Sequence, residues 1–234
     1  GLAIGQPADF WYDAGFLSYP FEYPVSLSAD PIYQSLITPL QRILDDFGFT
    51  AFTPVQQQSL PLLLKNRDVI AQAQTGSGKT LAFALGLLTR IDTQQRHTQA
   101  LVLCPTRELA DQVAKEIRKL ARYIDNLKVL TLCGGMPFGP QLASLEHGAH
   151  VVVGTPGRIM EHLLDNLNEP QNILIFHMPG DFCRNQAEHD LFEKIGKQIV
   201  NLGHSIHSFC QLINTSYLEI NLELSSLKAR SLYS

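Results

Sequence analysis

Residues 73–80 read Ala-Gln-Thr-Gly-Ser-Gly-Lys-Thr, and their types and order suit one task, holding a chain of phosphates. Gly76 and Gly78 let the backbone turn so that successive N–H groups point inward at phosphate oxygens. A lysine closing such a loop pairs with β- and γ-phosphate charge, and the hydroxyl after it is a ligand for Mg2+. Lys79 and Thr80 hold those places. The chemistry needs a strand before the loop and a helix after it, because the helix N-terminus adds its positive dipole end. Asp68–Ala73 reads as a strand and Lys79 onward as a helix. The generic motif begins with Gly, where this chain has Ala73. A glycine-rich turn without function is the alternative, and it leaves the strand–loop–helix order unexplained. Ala73, Gln74, Thr75, Gly76, Ser77, Gly78, Lys79 and Thr80 are therefore candidate phosphate contacts, with Thr80 also a candidate metal ligand.

The elements that must position this loop recur over residues 35–166. Leu36, Leu40, Ile43, Leu44 and Phe47 fall at helical spacing, with Gly48 as a stop, and Pro54 opens a second helix over 54–65. Strands are expected at Asp68–Ala73, Ala100–Cys104, Lys128–Leu132 and His150–Gly154. Helices are expected at Lys79–Ile91, Arg107–Tyr123, near 139–146, and at Pro156–Leu164. Strand runs such as VVV and LVL are apolar throughout, as strands covered on both faces should be. This alternation predicts an open α/β domain with a mainly parallel sheet, incomplete at its C-terminal side. Residues 1–34 are aromatic- and proline-rich without a period, and read as an irregular extension or a partner-docking segment. Residues 167–234 form a tail of unassigned fold, in which Asn172–Phe176 fits a buried strand and 186–203 a helix. No internal repeat is present.

The bulk composition narrows the partners. The chain has 234 residues, 45% hydrophobic and 17% charged, the latter below the roughly 25% of an average globular chain. Its formal net charge is -4, so no global basic field advertises nucleic acid and any such contact must be local. Four widely spaced cysteines without a CxxC pair fit a reducing compartment. The first basic residue is Arg42, which excludes a signal or transit peptide at the start of this sequence. No apolar run reaches the ~18 residues of a membrane helix. A soluble, cytoplasmic protein is expected. The first residue is Gly rather than Met, which leaves open a missing N-terminus.

Four further stretches fall into order with the phosphate loop: GFTAFTPVQ at Gly48–Gln56, PTRELA at Pro105–Ala110, Gly134-Gly135, and TPGR at Thr155–Arg158. Together the five resemble the first RecA-like domain of a DEAD-box ATP-dependent RNA helicase, over about residues 36–166. The intervening text, LVLCPTRELADQVAKEIRKLAR and LTLCGGMPFGPQ, is most similar to the bacterial DbpA type of that family, which acts on ribosomal RNA. The resemblance implies a RecA-like P-loop fold, ATP and Mg2+ as cofactors, and RNA as partner, with ribosomal RNA the candidate. It implies that Gln56 reads the adenine edge through an amide that both donates and accepts. Phe49 would pack near the base and Thr53 would hold the loop. Phe52 stands where family members usually have Pro, and Tyr33 is an unaligned candidate for the aromatic that stacks on adenine. Pro105, Thr106, Arg107, Gly135, Thr155, Pro156 and Arg158 resemble the RNA-facing set. They would lie just past strand ends, on the edge where open α/β folds place ligands, and their types suit phosphodiester contacts without base reading. Taken singly, Arg107 is an ordinary exposed helix start and Thr155-Pro156 a simple helix cap.

The resemblance breaks at one place. The family next shows an apolar strand ending in Asp-Glu-Ala-Asp, whose carboxylates hold the metal shell and orient the attacking water. Here that strand reads NILIFHMPGD, with His177, Met178, Pro179 and Gly180 in those positions. Asp181 is the nearest acid and the candidate substitute carboxylate. The family's Ser-Ala-Thr motif and second RecA-like domain are absent from the sequence. A truncated or frame-shifted coding sequence accounts for this, as does a pseudo-helicase; the mid-domain break favours the first. The expected function is the N-terminal core of a DEAD-box helicase that binds ATP and RNA backbone. The alternative is a non-hydrolysing ATP/RNA-binding module or truncated pseudo-helicase. A small-molecule P-loop kinase has no reason to carry PTRELA, GG and TPGR in order. In the tail, His204-x-x-His207-x-x-Cys210 with Cys183 is a weak zinc candidate, since the spacing fits no standard module.

Overall fold

The computed structural model of the chain describes residues 26–67, 69–74, 76–166, 172–177, 205–214 and 219–221. After a 3-10 turn at Leu27–Ala29 come α1 (Pro31–Gln34), α2 (Thr38–Asp46), α3 (Pro54–Leu64), β1 (Val69–Ala73) and α4 (Lys79–Leu88). Then follow β2 (Ala100–Leu103), α5 (Arg107–Leu120), β3 (Val129–Leu132), α6 (Phe138–Glu146), β4 (Val151–Gly154) and α7 (Pro156–Asn166). Three further strands are β5 (Asn172–His177), β6 (Ser205–Asn214) and β7 (Glu219–Asn221). The expected elements of residues 35–166 are all present, with ends shifted by a few residues at most.

The seven strands form one sheet in the order β3-β4-β2-β5-β6-β1-β7. Every pair is parallel except β1 with β7. The α/β class with a mainly parallel, open sheet is thus the observed fold. Residues after 167 supply β5 and β6, which lie between β1 and β2. The β5–β6 ladder pairs Ile173 with Ile206 and Leu174 with Ser208, which leaves His207 as the extra residue of a bulge.

Burial follows from this layering. The interior strands β2 and β4 are buried at every residue, whereas β3 at the sheet edge is half-buried along most of its length. Alternate residues serve opposite faces. Ala100, Val102, Val151 and Val153 join the larger core, and Leu101, Leu103, Val152 and Leu132 join a smaller one with Ala149 and Ile159. On the larger side, α4 packs against α3 and α5, and its residues Ala82 to Leu88 are all buried, as a helix enclosed on every side must be. Gly86 makes that approach possible. A Cβ there would meet Leu63 Cβ at 2.9 Å.

Three expectations change. Leu27 and Tyr33 belong to the core, so folded structure begins before residue 35. Tyr33 donates its hydroxyl to Asp45 Oδ2 at 2.7 Å, and burial, helped by Asp45, pushes its phenol up to about 12. It is a core residue, not a platform for adenine. Phe47 does not share the burial of Leu40, Ile43 and Leu44. It caps α2 and is 36% exposed, with the Lys119 ammonium 4.5 Å from its ring centroid. The helix expected at 186–203 lies outside the described residues, as do Cys183 and His204 of the zinc candidate. Among the described residues no three His, Cys, Asp or Glu side chains gather closely enough to hold a metal. No described helix is long and apolar enough to cross a membrane.

Gly86→Val should lower unfolding free energy by roughly 1–3 kcal/mol, the usual cost of overpacking, read as a fall in the urea midpoint at unchanged slope. An unchanged midpoint would mean that α3 and α4 are free to separate.

Candidate functional site

Parallel pairing brings the loops that follow β1, β2, β3 and β4 to one edge of the sheet. Ala73 ends β1, Leu103 is followed by Cys104 and Pro105, Leu132 by Cys133 and Gly134, and Gly154 by Thr155. β5 ends on the same edge at His177, in register with Leu103 on one side and Gln211 on the other. Two strands, β5 and β6, separate β1 from β2. The phosphate loop is therefore about 14 Å across the sheet from the PTRELA loop, three strand spacings away.

The phosphate loop has the geometry its glycines suggest. Gly76 and Gly78 adopt φ of +81° and +92°, in the left-handed region that disfavours side chains. Gly78 is the N-cap of α4, so the helix N-terminus opens directly onto the loop. Lys79 is buried, and its ammonium folds back across the loop to donate to the carbonyls of Ala73 and Gln74, the latter at 2.7 Å. The Ser77 hydroxyl is buried with no hydrogen-bond partner. Thr80 follows as the second residue of α4. Thr75 lies outside the described residues.

Thr53 and Gln56 hold this loop from the side. Gln56 is 2% exposed. Its Oε1 accepts from the Thr53 backbone N–H at 2.9 Å, which is one arm of a capping box on α3. Its Nε2 donates to the Gly78 carbonyl at 3.1 Å. Thr53 donates its hydroxyl to the Ser77 carbonyl at 2.8 Å. The amide expected to read adenine is thus already linked to the phosphate loop. Phe49 is half-buried against the core, and Phe52 fills the core at 4% exposure.

The arginine-bearing residues meet around the Gly134–Pro137 loop. Thr106 caps α5, its hydroxyl accepting from Leu109 N–H at 3.2 Å. Arg107 is exposed and lies on Gly135: a Cβ there would come within 2.2 Å of its Nη1. Arg158, in the first turn of α7 after Thr155 and Pro156, donates from Nη2 to the Met136 carbonyl at 3.4 Å. It also pairs with Glu161 at 3.2 Å. Pro105, Thr106, Arg107, Gly135, Thr155, Pro156 and Arg158 are therefore neighbours on one edge. The buried thiols Cys104 and Cys133 lie just beneath them. Burial pushes Cys104 up to about 12 and raises Cys133 as well, so neither is a ready nucleophile.

Sequence reasoning missed the support under this edge. Gln141, on α6, donates from Nε2 to the Cys133 carbonyl at 3.2 Å. With its N–H group spent there, its Oε1 accepts from His162 Nε2 at 3.0 Å, which fixes the proton on that ring nitrogen. The His162 ring stacks on Phe138 at a 4.2 Å centroid distance and 8° between planes. A glutamine three residues into a short helix was the available signal, and only its burial gives it meaning.

A parallel α/β sheet with a glycine-rich loop running from its first strand into a helix, and the loops after its other strands gathered on the same edge, defines a RecA-like P-loop domain. A sequence profile of the DEAD/DEAH box helicases matches residues 53–177, just over half of the chain. The chain belongs to that family. It is 58% identical over 131 residues to the ATP-dependent RNA helicase DbpA of Escherichia coli (strain K12), covering 53% of this chain and 29% of that protein. It is 49% identical over 122 residues to DeaD of Haemophilus influenzae, covering 52% of this chain and 20% of that protein. The chain thus spans less than a third of the length of these relatives. Among solved structures, a DEAD box protein from Methanococcus jannaschii superposes with a TM-score of 0.64 at 30% identity, over 85% of this chain and 52% of that one. A yeast Dbp5 variant solved with RNA and ADP BeF3 shares the fold, with a TM-score of 0.68 at 24% identity, over 82% of this chain and 47% of that one. The profile match ends at His177, the last residue of β5.

Gly76→Ala and Gly78→Ala both place a side chain at positive φ, but only the second meets an obstacle. A Cβ at Gly78 would lie 2.3 Å from Gln56 Nε2, whereas nothing stands within 4 Å at Gly76. Urea unfolding should show Gly78→Ala as the more destabilised, with backbone strain of about 1 kcal/mol or more common to both. Equal losses would mean that Gln56 swings aside freely.

Proposed function

We propose that this chain is the ATP-capturing, RNA-backbone-gripping part of a DEAD-box RNA helicase core, working in the reducing cytoplasm, and that its own residues do not turn ATP over. The observation that carries this is the shared sheet edge. It holds a phosphate loop turned by two positive-φ glycines at one side, an arginine-bearing rim at the other, and His177 at the end of a strand between.

The loop's donor set fits a nucleoside triphosphate. The α4 N-terminus, the Lys79 ammonium and the unpartnered Ser77 hydroxyl all sit at Gly76–Thr80, where an anion would replace backbone carbonyls as the ammonium's partner. Gln56 keeps one amide hydrogen and one lone pair for the adenine edge after serving Thr53 and Gly78, with Phe49 beside it. Mg2+ bound with the nucleotide would neutralise charge between its terminal phosphates, and Thr80 is the residue placed to ligate it. The family's carboxylate positions are filled by His177, Met178, Pro179 and Gly180, with Asp181 as the substitute to test. Without an acid to orient water, capture proceeds and phosphoryl transfer does not. On the RNA side, Pro105, Thr106, Arg107, Gly135, Thr155, Pro156 and Arg158 offer hydroxyls, backbone N–H groups and two guanidiniums, which suit phosphodiesters of any sequence. Ribosomal RNA is the candidate substrate that the sequence resemblance to the DbpA type implies.

The test is phosphate release from Mg-ATP with and without structured RNA, beside binding of a fluorescent ATP analogue, with Lys79→Ala as control. Analogue binding should fall at least about tenfold in Lys79→Ala, the loss of one charge-assisted contact, and release should stay at the control level. Equal affinity in the two proteins would overturn the phosphate-site assignment. RNA-stimulated release that vanishes in Lys79→Ala would overturn the absence of turnover, and Asp181→Asn would then show whether that acid had taken over.

A further inference from the structure

We propose that Met136 and Phe138 form an apolar, base-contacting surface between the two arginines of the RNA edge, so that unstacked bases of single-stranded RNA add to the affinity that phosphates provide. This rests on the RNA-edge reading above and deepens it.

Among the described residues three large hydrophobic side chains are exposed, and two of them, Met136 at 62% and Phe138 at 36%, are two residues apart at this edge. Cations flank them on both sides. Arg107 lies on Gly135, the residue before Met136. Arg158 donates to the Met136 carbonyl, and its guanidinium carbon is 5.7 Å from the Phe138 ring centroid. Guanidiniums in this position draw in a polyanion. A thioether and a phenyl ring cannot pair with phosphate, and the apolar part of a polynucleotide is its base faces.

Phe138 is also held in place from below. Its ring lies parallel to that of His162, which is 2% exposed and bound to Gln141, and Gln141 in turn holds the Cys133 carbonyl just before Gly134. An exposed aromatic fixed by a buried polar chain loses little freedom when a base settles against it. Bases stacked inside a duplex cannot reach such a surface, so the preference is for single strands and frayed ends.

The experiment uses the full chain and two probes, a short uridine-rich RNA strand and the same strand with abasic residues at its centre, which keeps every phosphate. The wild-type chain should bind the intact strand about fivefold or more tightly, the lower range for one base contact. Met136→Ser, at an exposed position where folding is indifferent to the change, and Phe138→Ala should bind both strands alike, with the salt dependence of binding unaltered because no phosphate contact is lost. Equal wild-type affinity for the two strands, or a Met136→Ser protein that keeps the advantage, would overturn the proposal. So would a shift from dimer to monomer in sedimentation caused by Met136→Ser, which would assign the surface to a second copy of the chain. Arg107→Ala separates the two levels. It should weaken both strands equally, and if it weakens neither, the RNA edge itself is misplaced.

Discussion

Parallel pairing from β3 through to β1 is the constraint on which everything else rests. Each parallel step obliges the chain to cross back over a face of the sheet before the next strand begins. Helices therefore cover both faces, and β2 and β4 are buried at every residue. The same geometry sends every strand's following loop to one edge. If β4 ran the other way, Thr155-Pro156-Gly157-Arg158 would emerge a strand length away, about 13 Å for four residues, and Arg158 could not reach the Met136 carbonyl. The two candidate ligand sites are thus a consequence of strand direction before any side chain is considered.

Within that frame the phosphate loop is held by neighbours rather than by its own sequence. Its two positive-φ glycines make it bend, but bending alone does not choose a position. Thr53 and Gln56 do, by bonding the carbonyls of Ser77 and Gly78 from the start of α3. That arrangement ties the segment proposed to read the base to the segment proposed to read the phosphates, through hydrogen bonds of ordinary length. A glutamine suits the junction because a primary amide has more hydrogen-bonding positions than the clamp consumes. A leucine of similar size would fill the volume and leave the Gly78 carbonyl and the Thr53 N–H without partners.

Much of this was legible in the sequence because it is local. Apolar runs bounded by Gly and Pro marked β1 to β4, and glycine spacing marked the phosphate loop. Where the determinant was not local, the pattern failed. Phe47 continues the helical period of α2, yet the helix ends there and the ring turns outward under Lys119. Tyr33 looked available and is committed to Asp45, twelve residues on. β6 escaped notice because its longer part after the bulge, Ser208–Asn214, reads SFCQLIN, which has no alternation of polar and apolar residues. The placing of β5 and β6 between β1 and β2 pairs β1 with a strand more than a hundred residues away and β2 with one more than seventy away, and no window of sequence contains that information. The Gln141–His162 link beneath the arginine-bearing edge has the same character: each residue is unremarkable until the fold brings them to 3.0 Å.

The end of β5 shows why fold and chemistry separate in this chain. Backbone N–H and C=O groups make the ladder, so the strand tolerates any side chain compatible with its environment. Asn172 to His177 pair in sequence with β6, and Leu174 to His177 with β2, through to the last residue. The sheet is therefore continuous through His177, which stands where the family resemblance places the first carboxylate, and Met178, Pro179 and Gly180 follow it in the sequence. A substitution there costs the sheet nothing. It removes charges that no strand pairing requires and that only a bound metal and an attacking water would use. The proposed nucleotide capture rests on the loop between β1 and α4, and β1 is separated from β5 by β6. In a scaffold divided in this way the proposed binding surfaces and the proposed loss of turnover involve different strands, so neither requires a change in the other.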